Sequence, residues 1–144
     1  MNYRYTIDDK AWHQHLHEYG FVVIANVLNS DEVETAKLQL WNDIERVWPG
    51  SRNDYRKMKL PIHGLAPEMC QSAGAWHVRG NRNVKQAFEE IWNETKLITS
   101  MDCVIFWRPW GKELNQKKPR TEGLHLDQNP FHKPNMEVFK AWFH

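Results

Sequence analysis

Apolar residues in the first part of the chain recur at two different periods, and the change of period separates a helix from a strand. Trp12, Leu16 and Tyr19 recur every three to four residues, which predicts a short helix. Gly20 follows directly and is expected to end that helix. Residues 21–28 then run apolar and β-branched, which is typical of a strand buried in the core.

The next segment gives the clearest helix prediction in the chain. Asn29 and Glu32 have the spacing of a capping box, in which each side chain bonds the other residue's backbone N–H. Apolar residues then keep a helical period as far as the Pro49–Gly50 pair. These apolar residues are Val33, Ala36, Leu40, Trp41, Ile44 and Val47.

Regular periodicity is lost between two segments of helical character. Residues 51–80 carry glycines, prolines and basic residues without a sustained period, which predicts a long irregular loop. Such a loop is either a functional lid or binding loop, or it contains short elements that the pattern does not reveal. A third helix is expected over Val84–Trp92, with Asn83 and Gln86 as a second box-like start.

Strand patterns dominate the remaining part of the chain. Residues 97–101 and 103–107 form two β-branched segments around Asp102, either one bulged strand or a hairpin, and residues 123–127 alternate with period two. The order of elements predicts one α+β domain over residues 1–144 with a mostly antiparallel sheet.

Composition narrows the class of protein. The chain has 144 residues, of which 41% are hydrophobic and 26% charged, and no apolar run is long enough to cross a membrane, so one soluble domain without a membrane partner is expected, in the cell interior and most simply the cytoplasm. The net charge of +1 offers nucleic acid no special attraction. Cys70 and Cys103 are predicted to be buried thiols. Eight tryptophans require a packed core or a large apolar cleft.

The alternating segment near the C-terminus carries the main candidate chemistry. Along a strand, Leu124 and Leu126 can face the core while His125 and Asp127 project together from the opposite face. One imidazole and one carboxylate make two thirds of the facial triad that binds non-haem ferrous iron. A lone His-x-Asp triplet is also common by chance, and a surface His–Asp pair in a strand is the alternative.

Several segments, taken in order, resemble landmarks of the phytanoyl-CoA dioxygenase family. They begin with Gly20-Phe21-Val22-Val23-Ile24 and Asn26-Val27-Leu28, followed by an acidic helix start. They continue with Trp76-His77-Val78-Arg79, the helix Val84 to Trp92, the segment Leu97 to Asp102, Arg108-Pro109 and finally His125-Leu126-Asp127-Gln128-Asn129-Pro130. Together these segments span most of residues 20–134.

The resemblance implies a double-stranded β-helix, or jelly-roll, preceded by N-terminal helices. It further implies an iron(II)- and 2-oxoglutarate-dependent dioxygenase that hydroxylates a small organic or acyl substrate, with His125 and Asp127 as iron ligands. The cofactors expected from the resemblance are therefore Fe(2+) and 2-oxoglutarate. They would supply the oxidation chemistry, while the protein would position the substrate and exclude water.

The chain departs from the family pattern after this strand. In the family a distal histidine and a basic anchor for 2-oxoglutarate follow several strands later, and neither His132 nor His144 has that placement. A jelly-roll needs about eight strands. The pattern here provides five, at residues 21–28, 97–101, 103–107, 124–127 and 138–143, and residues 135–144 no longer resemble the family. The sequence therefore predicts only the N-terminal part of the domain, an incomplete iron site of doubtful activity, and self-association through an exposed sheet edge.

Two arginines and two basic runs are secondary candidates for anion binding. Arg79 and Arg108 could hold an anionic cosubstrate, although either could equally pack over a neighbouring tryptophan. Basic residues in segments 52–59 and 112–120 would suit a non-catalytic phosphate- or nucleic-acid-binding module if both lay on one face. Solvated loops are the simpler interpretation, and an inactive partner of a full-length relative is a further alternative.

Three alternating histidines in the first helix raise the question of a zinc site. His13 and His17 share a face at i and i+4, but no neighbouring cysteine or acidic residue completes a ligand set. A solvated helix face around His13, His15 and His17 is therefore expected. The sequence contains no recognisable nucleophile constellation and no phosphate-binding loop.

Overall fold

The computed structural model describes residues 3–59, 63–101, 103–106, 123, 125, 129, 131–134 and 139. Within this part of the chain, the structure is mixed α+β. The strands are β1 (Arg4–Thr6), β2 (Val23–Ala25), β3 (Leu65–Ala66) and β4 (Val104–Ile105). The helices are α1 (Ala11–Tyr19), α2 (Ser30–Val47), α3 (Ala73–Arg79) and α4 (Arg82–Trp92).

Helix α1 connects two strands that pair in parallel. It ends as predicted at Gly20, which adopts a left-handed conformation with φ of 74° and donates its N–H to the Leu16 carbonyl at 2.8 Å. β1 and β2 then lie side by side in parallel, because a helical crossover separates them along the chain.

The buried strand predicted over residues 21–28 is much shorter in the structure. Only Val23–Ala25 pair with a neighbour, and all three are half-buried. Phe21 is 54% exposed, and Asn26 leaves the strand with a positive φ of 56°. The prediction of a buried core strand is therefore wrong, because the paired residues are only half-buried and Phe21 is largely exposed.

Helix α2 begins as its sequence predicts. The Asn29 side chain accepts the Glu32 N–H at 2.9 Å, and the Glu32 carboxylate accepts the Asn29 N–H at 2.8 Å. This reciprocal pair satisfies two backbone donors that a helix start otherwise leaves without partners. The helix continues through Val47, and Trp48 caps it directly before Pro49.

The region predicted as an irregular loop contains helix α3. Ser72 caps the helix by accepting the Ala75 N–H at 3.3 Å, and the buried Asp43 carboxylate of α2 accepts the Gly74 N–H at 2.9 Å. A Cβ at Gly74 would lie 2.7 Å from the Leu40 backbone nitrogen, so only glycine permits this approach of the two helices. The region therefore contains the short element that its composition concealed.

The main core forms where α2 meets the β3–β4 pair. Its buried residues are Ile44, Met58, Ala66 and Met69. The apolar face of α2 and two residues of the β4 segment pack around them, and these are Leu40, Trp41, Val47, Val104 and Phe106. The face of α2 that the helical period predicted is thus the one that packs on this core.

Helix α4 starts two residues earlier than its box-like pattern suggested. Asn81 is the capping residue, since its side chain accepts the N–H groups of Asn83 at 2.9 Å and Val84 at 3.3 Å. Asn83 instead donates its side-chain amide to the Val27 carbonyl at 2.7 Å, which ties α4 to the chain before α2. The proposed start at Asn83 and Gln86 is therefore wrong, although the helix itself is confirmed.

The structure after α4 contains less strand than the sequence predicted for residues 97–107. Residues 97–101 have no regular secondary structure and Ile98 is 98% exposed, while β4 spans two residues and pairs antiparallel with β3. The strands predicted at 124–127 and 138–143 lie outside the described residues, apart from His125 and Phe139. The jelly-roll remains a prediction.

Two further features concern the whole described part. Cys70 and Cys103 are half-buried rather than fully buried, and neither is in a disulfide. Among the described residues, no helix has the length and apolar character needed to cross a lipid bilayer.

Candidate metal centre

His125 is exposed and is oriented by the backbone immediately before it. Its Nδ1 lies 3.0 Å from the carbonyl oxygen of Gly123. A carbonyl oxygen can only accept, so this hydrogen bond requires a proton on Nδ1. Gly123 has a positive φ of 78°, which favours glycine and brings this carbonyl back towards the ring two residues later.

A tight turn follows the His-x-Asp segment. The Asn129 side chain accepts the Phe131 N–H at 2.9 Å. The backbone carbonyl of Asn129 accepts the N–H groups of His132 at 3.2 Å and Lys133 at 3.1 Å. Asparagine commonly starts such turns because its side chain imitates a backbone acceptor. His132 therefore lies inside a turn that begins at Asn129.

Two of the predicted site residues, Asp127 and Arg108, lie outside the part of the chain that the structure describes. Within the described part, no three histidine, cysteine, aspartate or glutamate side chains come together as a metal-binding group. The assignment of His125 and Asp127 as a pair of ligands stays a prediction.

Arg79 lies at the end of α3, against the 3-10 turn Pro67–Met69 that precedes the helix. Its Nη1 donates to the Cys70 carbonyl, and its guanidinium carbon lies 5.6 Å from the centre of the Trp76 ring. Trp76 is itself held, because its Nε1 donates to the Gln71 side chain at 2.9 Å. The packing over an indole that the sequence left as one alternative for Arg79 is thus present, and a role for Arg79 in holding an anionic cosubstrate stays a prediction.

The histidines of α1 have three different environments. His15 is 5% exposed, its ring lies against Tyr5, Tyr19 and Phe21, and its Nδ1 is 3.3 Å from the Tyr5 hydroxyl. His17 is exposed. The expectation of a solvated face is therefore wrong for His15, which follows the buried Trp12 by three residues and shares its face.

His13 joins an electrostatic cluster between α1 and α4. Lys10 Nζ lies 2.6 and 2.7 Å from the two Glu90 carboxylate oxygens, and His13 Nε2 is 3.1 Å from one of them. Gln86 also donates to this carboxylate at 2.9 Å. Hydrogen bonds from Lys10 and then Gln86 lower the pKa of Glu90. Glu90 thus connects two helices through several donors.

Two arginines of the first basic run have partners in the structure. Arg56 donates to the two Asp54 carboxylate oxygens at 2.7 and 3.1 Å, which lowers the pKa of that carboxyl, and Arg52 lies 5.5 Å over the Trp41 ring. The second run, residues 112–120, lies outside the described residues. Because Asp54 neutralises Arg56, this loop has less positive charge with which to attract an anion.

Sequence reasoning missed two polar residues that position α3. Asp43 is buried in α2 beneath the Gly74 N–H, and His77 Nε2 lies 3.2 Å from the Glu32 carbonyl. A signal for Asp43 was available, since it lies beside Ile44 on the otherwise apolar face of α2. A buried carboxylate at such a position requires partners, and helix-start N–H groups supply them.

Comparison with known proteins gives one informative similarity. A curated protein of Dictyostelium discoideum named "Putative phytanoyl-CoA dioxygenase" is 26% identical over 125 residues, which cover 78% of this chain and 35% of the relative. The chain thus spans about a third of the length of this relative. No protein-family model matches the chain, and no solved structure matches it.

Proposed function

We propose that this chain contributes the metal-binding strand of an iron(II)- and 2-oxoglutarate-dependent oxygenase of the phytanoyl-CoA dioxygenase type, built on a jelly-roll. The observation that carries the proposal is the orientation of His125 by the Gly123 carbonyl, at the segment where the sequence resembles the family. The similarity to the Dictyostelium protein supports the same assignment over most of the chain.

The donor atoms at this segment suit ferrous iron. Histidines that bind a metal usually donate their second ring N–H to a carbonyl or carboxylate, which fixes the tautomer. His125 has this arrangement through Nδ1, so Nε2 would be its ligand atom. Asp127, two residues later, would add a carboxylate oxygen, and this combination of nitrogen and oxygen donors is typical of non-haem iron.

In the proposed site the metal would supply oxygen activation and oxidation of 2-oxoglutarate, and the chain's own residues would supply position. Gly123 would orient the His125 ring through its carbonyl, and the Asn129 turn would direct the chain away after the ligand strand. Arg79 and Arg108 are proposed to hold the carboxylates of the cosubstrate, because a guanidinium matches carboxylate geometry. The substrate class would be a small organic or acyl compound.

Metal binding by the 144-residue chain is the direct test. Under anaerobic conditions, titration with Fe(II), or with Mn(II) followed by electron paramagnetic resonance, should show one site. His125→Ala and Asp127→Ala should each weaken it at least about tenfold, because an incomplete site binds metal poorly. His17→Ala removes an exposed histidine of α1 and should leave the affinity unchanged. Equal binding by all four proteins would refute the ligand assignment.

Cosubstrate binding can be separated from metal binding. Arg79→Ala should weaken binding of 2-oxoglutarate to the metal-loaded chain while the metal affinity stays at the wild-type value. Loss of both, together with a lower unfolding midpoint, would instead assign Arg79 a purely structural role through its bond to Cys70. Iron-dependent release of succinate from 2-oxoglutarate then reports whether the segment turns over by itself.

A further inference from the structure

Residues 97–101 connect helix α4 to strand β4 and have no regular secondary structure, although the sequence predicted a strand there. Both ends of this connection contact the rest of the protein. Directly before it, the Lys96 N–H donates to the Glu94 carboxylate at 2.8 Å. At its end, the Gln71 side-chain amide donates to the Met101 sulfur. The segment is therefore held between two anchored ends.

The middle of this segment is exposed and has the composition of a strand. Ile98, Thr99 and Ser100 are all exposed, and Ile98 is 98% exposed. Isoleucine and threonine are β-branched and favour strands. No backbone hydrogen bond joins residues 97–101 to another residue that the structure describes. Backbone N–H and C=O groups along such an edge are a template for pairing with another chain.

The sequence around Thr99 is complementary to itself in the antiparallel direction. If Thr99 of one copy faces Thr99 of a second copy, Lys96 of each copy faces Asp102 of the other. The pairs between these two are Leu97 with Met101 and Ile98 with Ser100. Opposite charges and threonine pairs at facing positions stabilise antiparallel strands.

The neighbouring symmetric registers lack this complementarity. In a two-fold symmetric pair of antiparallel strands, one residue faces its own copy, so the register can be centred on Ile98, Thr99 or Ser100. Centring on Ile98 places Glu94 opposite Asp102, which are like charges. Centring on Ser100 instead places Asp102 opposite Ile98. Charge complementarity therefore favours the register at Thr99.

We propose that two copies of this chain associate through residues 96–102, which pair as antiparallel strands about a two-fold axis at Thr99. The self-association that the sequence predicts for an exposed edge thus has a defined location, which is independent of the proposed metal centre. Each segment gives the other its backbone partners, and the two Lys96–Asp102 contacts set the register. Because the contact is small, the association is reversible and depends on concentration.

Sedimentation velocity of the 144-residue chain tests for the dimer, over about 10 µM to 1 mM because small interfaces are weak. Ile98→Lys should raise the dissociation constant at least about tenfold, since a lysine on an edge strand opposes pairing. The side chain is almost fully exposed, so the monomer should keep its fold, which circular dichroism checks. Phe131→Lys makes a matched change at a position that is 90% exposed outside the segment, and should leave the dissociation constant unchanged.

Charge reversal tests the register. Lys96→Asp places carboxylates opposite each other at both ends of the pair, and Asp102→Lys places ammonium groups there, so each should raise the dissociation constant about tenfold. The double variant restores opposite charges and should return to within about threefold of the wild type. Amide hydrogen exchange at residues 97–101 should slow as the wild-type concentration rises.

Three results would overturn the proposal. The first is a wild-type chain that stays monomeric up to about 1 mM, beyond the range expected even for a small interface. The second is an equal loss of association in Ile98→Lys and Phe131→Lys, which would indicate unspecific apolar contact. The third is a double charge variant that associates as weakly as the single variants, which would exclude the register at Thr99.

Discussion

Helices α2 and α3 both need acceptors for the backbone N–H groups of their first turns. In α2 the acceptors come from neighbouring residues, whereas in α3 one of them comes from a residue far away in the sequence. The start of α2 is stabilised by Asn29 and Glu32, which are three residues apart. The start of α3 has a local Ser72 cap, but its Gly74 N–H depends on Asp43 from the neighbouring helix. A helix start of the first kind can be identified in the sequence, whereas one of the second kind exists only after the two helices have packed.

Gly74→Ala should have the largest effect on this comparison. The new Cβ would lie 2.6 Å from Leu40 Cγ and 2.7 Å from its backbone nitrogen, so α2 and α3 must separate. We expect the free energy of unfolding to fall by about 2–3 kcal/mol, as for other overpacked cores. Urea unfolding followed by circular dichroism measures it. The sign is diagnostic, because without the clash alanine would stabilise a helix relative to glycine.

Asp43→Ala tests the long-range partner itself. Removing the buried carboxylate leaves the Gly74 N–H without its acceptor and should cost about 1–3 kcal/mol. Asp43→Asn keeps an acceptor oxygen and should cost less. Glu34→Gln, at an exposed position of the same helix paired with Lys37, serves as the control with an effect near zero. If Asp43→Ala matched this control, the α3 start would be local after all.

Asn29→Ala tests the local start of α2. Loss of the capping side chain should lower the free energy of unfolding by about 1 kcal/mol, less than the Asp43 substitution because the site is exposed and water replaces the acceptor. The measurement is again urea unfolding, with amide hydrogen exchange at residues 30–33 to locate the change. Accelerated exchange confined to α3 would contradict this assignment.

The Glu90 cluster offers a long-range contact on the surface, and its effect should be the smallest. The pKa of Glu90 is lower in the folded protein than its usual value of 4.5, so the ionised carboxylate stabilises the folded state at pH values above 4.5. This stabilisation is lost as the pH falls through the pKa of Glu90 in the folded protein. Between pH 5 and more acidic pH, the free energy of unfolding of Glu90→Gln should therefore fall less than that of the wild type. The difference should be on the order of a few tenths of a kcal/mol, measured by urea unfolding at each pH. Parallel pH profiles would show that the Lys10 contact contributes nothing.

The elements that the sequence predicted correctly are those whose signals are local. Gly20 ends α1 and the Asn29–Glu32 box starts α2, because each needs only neighbours within one turn. The start of α4 was misplaced since Asn81 and Asn83 both suit a cap, and only the contact of Asn83 with Val27 decides between them. Three-dimensional context thus corrected the boundary and left the helix itself unchanged.

The missed elements depend on partners far away in the chain. β1 is a polar three-residue segment that becomes a strand only beside β2, and α3 is too rich in small residues to show an apolar period. His15 was misassigned because a histidine three residues after Trp12 can face either solvent or core, and its aromatic neighbours Tyr5 and Phe21 come from outside the helix. At the candidate site, the sequence identified His125 but could not indicate its bond to Gly123.

The parallel pairing of β1 with β2 has a consequence for the order in which the chain acquires structure during synthesis. Every residue of that unit lies between Arg4 and Ala25, so it can assemble once this short stretch has left the ribosome. The β3–β4 pair must wait for Ile105, which at about 5–20 residues per second arrives several seconds later. During that interval the apolar face of α2 has no strands to cover it, which makes this helix the expected chaperone target on the nascent chain.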